Sequence, residues 1–155
     1  MNDFIKALNL EPLSEEAIRT LSPLKLAFLG DAIYDAHIRY YLTMTRDIKV
    51  NDLHRVTTTY VKASAQARLF KHFLPLLNEA EKNMMMRGRN QKTKTVAKNA
   101  TISDYRSATG FETLIGYLAI SQNQHRLNTL LKLAIDIIEN PSLELPQLTK
   151  ENGDD

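Results

Sequence analysis

Residues 21–42, LSPLKLAFLGDAIYDAHIRYYL, carry an apolar pattern at helical spacing with an aspartate set inside it. Ser22 stands where an N-cap is expected and Pro23 occupies the first helical position, so a helix begins here. At 100° per residue, Leu24, Phe28, Ile38 and Leu42 fall on one face, and Asp31 falls among them with Asp35 one turn further on. A carboxylate on an apolar face is unfavourable unless something pairs with it. The partner has to come from elsewhere in the chain.

A second acid shows the same peculiarity. In residues 104–121, DYRSATGFETLIGYLAIS, the helical-wheel neighbours of Glu112 are Ala108, Thr109, Gly116 and Ala119, all small, while Phe111, Leu114, Ile115 and Leu118 carry the bulk. Small residues around an acid imply close approach of another helix. Asp31 is likewise flanked by Ala27, Gly30 and Ala32, so the two helices can pack near the lower end of the usual ~8–10 Å interaxial range, with Asp31 beside Glu112. Two such carboxylates repel unless one is protonated, a basic residue intervenes, or a divalent cation lies between them. The third arrangement suits hydrolysis of a phosphodiester.

The surrounding sequence bounds what these acids can do. With 155 residues, 43% hydrophobic and 25% charged, the chain fits one soluble domain, expected over residues 1–140 and followed by a short polar tail over 141–155. There is no run long enough for a membrane span and no signal-peptide pattern, so a cytoplasmic location with no membrane partner is expected. With no cysteine, disulfides and thiolate metal sites are excluded, so any metal would be held by oxygen or imidazole ligands, and hard cations such as Mg²⁺, or Mn²⁺ in its place, are the natural candidates. The four histidines form no HxH or HExxH pattern.

Apolar spacing is helical almost throughout, which predicts an all-α fold with helices at about 14–20, 23–44, 51–73, 76–87, 104–121 and 123–139. Pro75 should separate two of them and Pro141 should end the last. The net charge of +2 is small, but residues 82–103, KNMMMRGRNQKTKTVAKNATIS, contain no acid. The stretch from Gly88 to about Ser103 reads as a long basic loop, with Arg87, Arg89, Lys92, Lys94 and Lys98 available to a polyanion.

Blander readings stand beside these. Asp31 could pair with a structural Arg or Lys, Glu112 could cap a neighbouring helix or pair with Arg39, Asp35 reads as a half-exposed solvated acid, and Met84–Met86 reads as core and helix-end packing.

Four blocks in order, LGDAIYD (29–35), NDLHRVTTTYVKASAQA (51–67), RGRNQKTKTVAKNA (87–100) and YRSATGFETLIGYL (105–118), resemble Mini-ribonuclease III, the catalytic domain of the ribonuclease III class without its double-stranded-RNA-binding domain. The resemblance implies a helical homodimer and a Mg²⁺-dependent endoribonuclease that hydrolyses double-stranded RNA, leaves 5′-phosphates and matures the large-subunit (23S) ribosomal RNA precursor. A ribosomal protein is a further candidate partner. It also implies that Asp31 and Glu112 are the metal-linked catalytic acids. Leu24, Ala27 and Thr109 stand where the full-length ribonuclease III class has further acids, which leaves fewer ligands per centre. Tyr34, Ile38 and Tyr41 are candidate dimer-interface residues. The rival reading is a non-enzymatic helical RNA-binding or ribosome-associated protein whose acids are structural.

Overall fold

The structure, a computed structural model, describes residues 3–92 and 100–142. Its centre is the helix Ile102–Ile120, buried along most of its circumference, as expected of a helix whose apolar residues occupy more than one face. In chain order the helices are α1 (Asp3–Ala7), α2 (Glu15–Thr20), α3 (Pro23–Thr45), α4 (Val50–Val61), α5 (Ala63–Phe73), α6 (Glu79–Arg89), α7 (Ile102–Ile120) and α8 (Gln124–Glu139), with one 3₁₀ turn at Leu74–Leu76. No strand occurs among the described residues, and no helix among them is long and apolar enough to cross a membrane. The expected all-α class holds.

Around α7 pack α3, α5 and α6. The α3–α7 contact is made by backbone. A β-carbon on Gly30 would lie 1.8 Å from the Glu112 carbonyl oxygen, and one on Gly116 would lie 1.9 Å from the Leu26 carbonyl oxygen. Only glycine permits this approach at both points. Below it, Tyr34 meets Phe111 edge-on with ring centroids 4.9 Å apart, and its hydroxyl donates to the Tyr60 carbonyl at 2.9 Å. Met84 and Met85 are core, as their helix-end position suggested.

At the base, the Asn78 side chain accepts from the Glu81 N–H and Glu81 accepts from the Asn78 N–H, which caps α6. Arg126 of α8 reaches the same glutamate at 2.9 Å and the Leu76 carbonyl beyond it. The buried acid Glu81 is thus fully partnered and structural.

Several sequence expectations need correction. The buried stripe of α3 is Leu26, Ala27, Gly30, Tyr34, Ile38 and Leu42, whereas Leu24 is 45% and Phe28 83% exposed. The Gly30 contact rotates the helix so that Asp31 lies at the margin of the core, solvent-exposed, and not within it. For the same reason Tyr34 and Ile38 are spent on the protomer's own core and cannot form an interface, while Tyr41 is half-buried and donates to Glu139.

The expected helix 51–73 is two helices. Lys62 is extended (φ −60°, ψ 155°), ending α4 and starting α5. The run Thr57–Thr58–Thr59 precedes the break, and each hydroxyl bonds back to a carbonyl of the preceding turn, a competition that weakens helices. The break lets α4 pack on α3 while α5 packs on α7. Finally, α6 runs to Arg89, two residues beyond the expected end, and the five-residue α1 was not anticipated because it buries nothing.

Candidate active site

The close α3–α7 crossing fixes where the acids go. Asp31 follows Gly30, which touches the backbone of Glu112, so the two carboxylates open onto one cleft of about 290 Å³. The walls come from α7, through Tyr105, Ala108 and Thr109, and from the α4–α5 break, through Val61, Ala63 and Gln66. The juxtaposition expected from the small residues is present.

The electrostatics are those of crowded like charges. Burial pushes the Glu112 carboxyl up to about 8, the Asp31 carboxylate adds to the shift, and the Gln66 amide opposes it. Asp31 is raised too, by partial burial first and by Asp35 second. Among the described residues no ion pair neutralises the two acids: Arg39, the structural partner considered for Glu112, binds Asp35 at 2.7 Å. Asp35 is the partly exposed acid its position suggested.

Such a site fits a hard divalent cation. Its acidic donors are all oxygen, and their mutual repulsion is relieved by positive charge between them. Among the described residues no group of three or more His, Asp or Glu is placed to hold an ion, so the protein would supply two carboxylates and leave the other positions to water and phosphate oxygens. Mg²⁺ favours that hydrated mode.

The basic residues divide. Arg87 donates to the Arg19 carbonyl at 2.8 Å and to the Leu21 carbonyl at 3.4 Å, tying down the C-terminal end of α2. Arg89 lies 6.0 Å from the Phe70 ring centroid and is half-buried. Lys92 is exposed, while Lys94 and Lys98 lie outside the described residues. Two exposed cations that sequence reasoning passed over are neighbours in sequence of cleft residues: Lys62, between Val61 and Ala63, and Arg106, after Tyr105. Gln66 was missed as well. Its signal was an amide whose helical neighbours three, four and seven residues on are Leu69, Phe70 and Phe73. Tyr105 could have been found from its spacing, seven residues before Glu112 on the same helix face.

Comparison with known proteins finds relatives over most of the chain. The family model described as "Ribonuclease III domain" matches residues 24–123. A Mini-ribonuclease 3 from Thermoanaerobacter sp. (strain X514) is 45% identical over 131 residues, covering 84% of this chain and 92% of the relative. One from Enterococcus faecalis is 48% identical, covering 76% and 90%. A crystal structure of a Fusobacterium nucleatum protein superimposes with a TM-score of 0.69 at 29% identity, covering 77% of this chain and 95% of that one. The matched span contains both acids and every wall of the cleft, and the chain therefore belongs to the ribonuclease III domain family, in its Mini-ribonuclease 3 branch.

Proposed function

We propose that this endoribonuclease cleaves double-stranded RNA by Mg²⁺-dependent hydrolysis, leaving 5′-phosphates, and that its substrate is the precursor of large-subunit (23S) ribosomal RNA. The observation that carries the reading is the meeting of Asp31 and Glu112 on one cleft, with no basic partner for them among the described residues. These two carboxylates would hold the ion; when bound, it supplies charge stabilisation at the phosphodiester and a lowered pKa for the attacking water. Exposed Lys62, Lys92 and Arg106 are cations available to the backbone of a duplex, and Lys94 and Lys98 add positive charge to the sequence after Lys92. Recognition of A-form RNA is mainly by shape and 2′-hydroxyls, so sequence preference should be weak.

The exposed side of α3 supports a homodimer. Leu24, Phe28, Ala32, Ala36, Tyr40 and Met44 are solvent-exposed along α3, apolar surface that the described residues leave uncovered. A second copy meeting it about a two-fold axis would set two Asp31-bearing helices together, one centre for each strand.

Incubation with long double-stranded RNA, with and without Mg²⁺, tests the activity. Wild type should cut only with the ion, and Asp31→Asn and Glu112→Gln should bind RNA without cutting it. Binding with no cleavage by wild type in Mg²⁺ would favour the non-enzymatic RNA-binding reading.

A further inference from the structure

Gln66 lies in the first turns of α5 and is 2% exposed, yet it lines the cleft that holds the two acids. Its Nε2 donates to the Val61 carbonyl at 2.9 Å. Because a carbonyl can only accept, this bond fixes the amide's orientation: nitrogen toward Val61, oxygen away. Oε1 is buried and has no hydrogen-bond partner among the described residues. A buried amide with an unpaired oxygen is unfavourable, and an apolar side chain of the same length would avoid that loss. Something other than packing accounts for an amide here.

The second N–H of Nε2 is not used by Val61, and Gln66 lines the same cleft as Glu112, so that N–H is available to the carboxylate. The helix break makes this possible. In a continuous helix the Val61 carbonyl would accept from the N–H of Ala65; with Lys62 extended it is left to Gln66, whose side chain is thereby held across the cleft wall.

We infer that Gln66 is the positioning residue for Glu112: anchored by Val61 at the α4–α5 break, its amide holds the Glu112 carboxylate in the orientation that shares a cation with Asp31. The inference rests on the reading of the cleft as a metal-dependent centre. Groups that hydrogen-bond a metal-ligating carboxylate orient it, and their removal typically costs about 10–100-fold in metal affinity or activity. A merely structural Gln66, stitching the end of α4, would change stability alone.

Two substitutions test this. Gln66→Met keeps the length and loses the donor; Gln66→Asn keeps an amide too short to reach Val61 and Glu112 together. Each is titrated with MgCl₂ in a calorimeter at fixed pH without RNA, beside wild type and Asp31→Asn. Both Gln66 variants should show a Mg²⁺ dissociation constant raised about 10–100-fold and a kcat lowered by a similar factor, with KM and metal-free affinity for double-stranded RNA unchanged. If Asp31→Asn loses Mg²⁺ while a folded Gln66 variant binds it within twofold of wild type, the positioning role is wrong and the metal centre stands. If Asp31→Asn itself binds Mg²⁺ like wild type, the centre is wrong and the role of Gln66 falls with it. Should Gln66→Met not fold, Gln66→Asn carries the same expectation.

Discussion

Glu112 is the residue whose chemistry depends most on its surroundings, and that dependence has a sign. Its carboxyl is raised from the ordinary range to about 8, so the folded state favours the protonated form. In EDTA, wild type should be at its most stable, relative to Glu112→Gln, below about pH 4.5, and should lose that advantage as the pH rises through 8, beyond which the deficit stays constant. The difference is on the order of several kcal/mol at most. Melts at pH 5, 7 and 9 measure it, and Mg²⁺ at pH 8 should stabilise wild type but not the variant. A Glu112→Gln protein that melts far below wild type at every pH would indicate a structural ion pair instead. The basic residues separate at this scale as well. Arg87→Ala should cost stability, about 1 kcal/mol for the α2 carbonyls it leaves bare, with little effect on RNA. Lys92→Ala should leave the melt unchanged and reduce the salt slope of duplex binding by ~0.7–0.9 log units. A salt slope that follows Arg87 and ignores Lys92 would reverse the assignment.

Between elements, the crossing of α3 over α7 is what converts two separate motifs into one site. Gly30→Ala would force a methyl group into the Glu112 carbonyl, and Gly116→Ala would do the same to the Leu26 carbonyl. Backbone cannot yield as a side chain can, so each should lower stability by about 1–3 kcal/mol or more and remove cleavage by parting the acids. A thermal melt and a cleavage assay on each variant check this; a Gly30→Ala protein that melts and cuts like wild type would show that the crossing is looser than described. The crossing was legible in the sequence because small residues cluster around both acids, a pattern whose only packing use is close approach. The rotation of α3 was not. Leu24 and Phe28 look like core when the helix is read alone, since periodicity identifies an apolar face without saying whether the protomer or another molecule covers it. The break at Lys62 was hidden for a related reason. No Gly or Pro marks it, and what favours it is tertiary: α4 and α5 serve different neighbours, and the Val61 carbonyl finds its partner in a side chain, Gln66.

For the whole molecule, the misread face of α3 becomes the most informative surface. Phe28, 83% exposed, contributes nothing to the protomer core, and it sits one turn from Asp31 on the same helix. The proposed two-fold contact centred on Phe28 would therefore couple assembly to the geometry of the two centres, whereas the protomer's own core does not depend on it. Burying a phenylalanine gains roughly 1.5–3 kcal/mol, and symmetry doubles this to about 3–6 kcal/mol per dimer. Phe28→Asp should accordingly weaken dimerisation by about 10²–10⁴-fold. Sedimentation should find wild type as a dimer at micromolar concentration and the variant as a monomer. The variant's far-ultraviolet circular dichroism should match wild type, because the substitution lies outside the core. Its cleavage should drop, with single-strand nicks replacing paired cuts, because one protomer carries one Asp31–Glu112 pair and a duplex has two strands. Wild type that sediments as a monomer while making paired cuts at full rate would remove both the interface and the argument for two coupled centres.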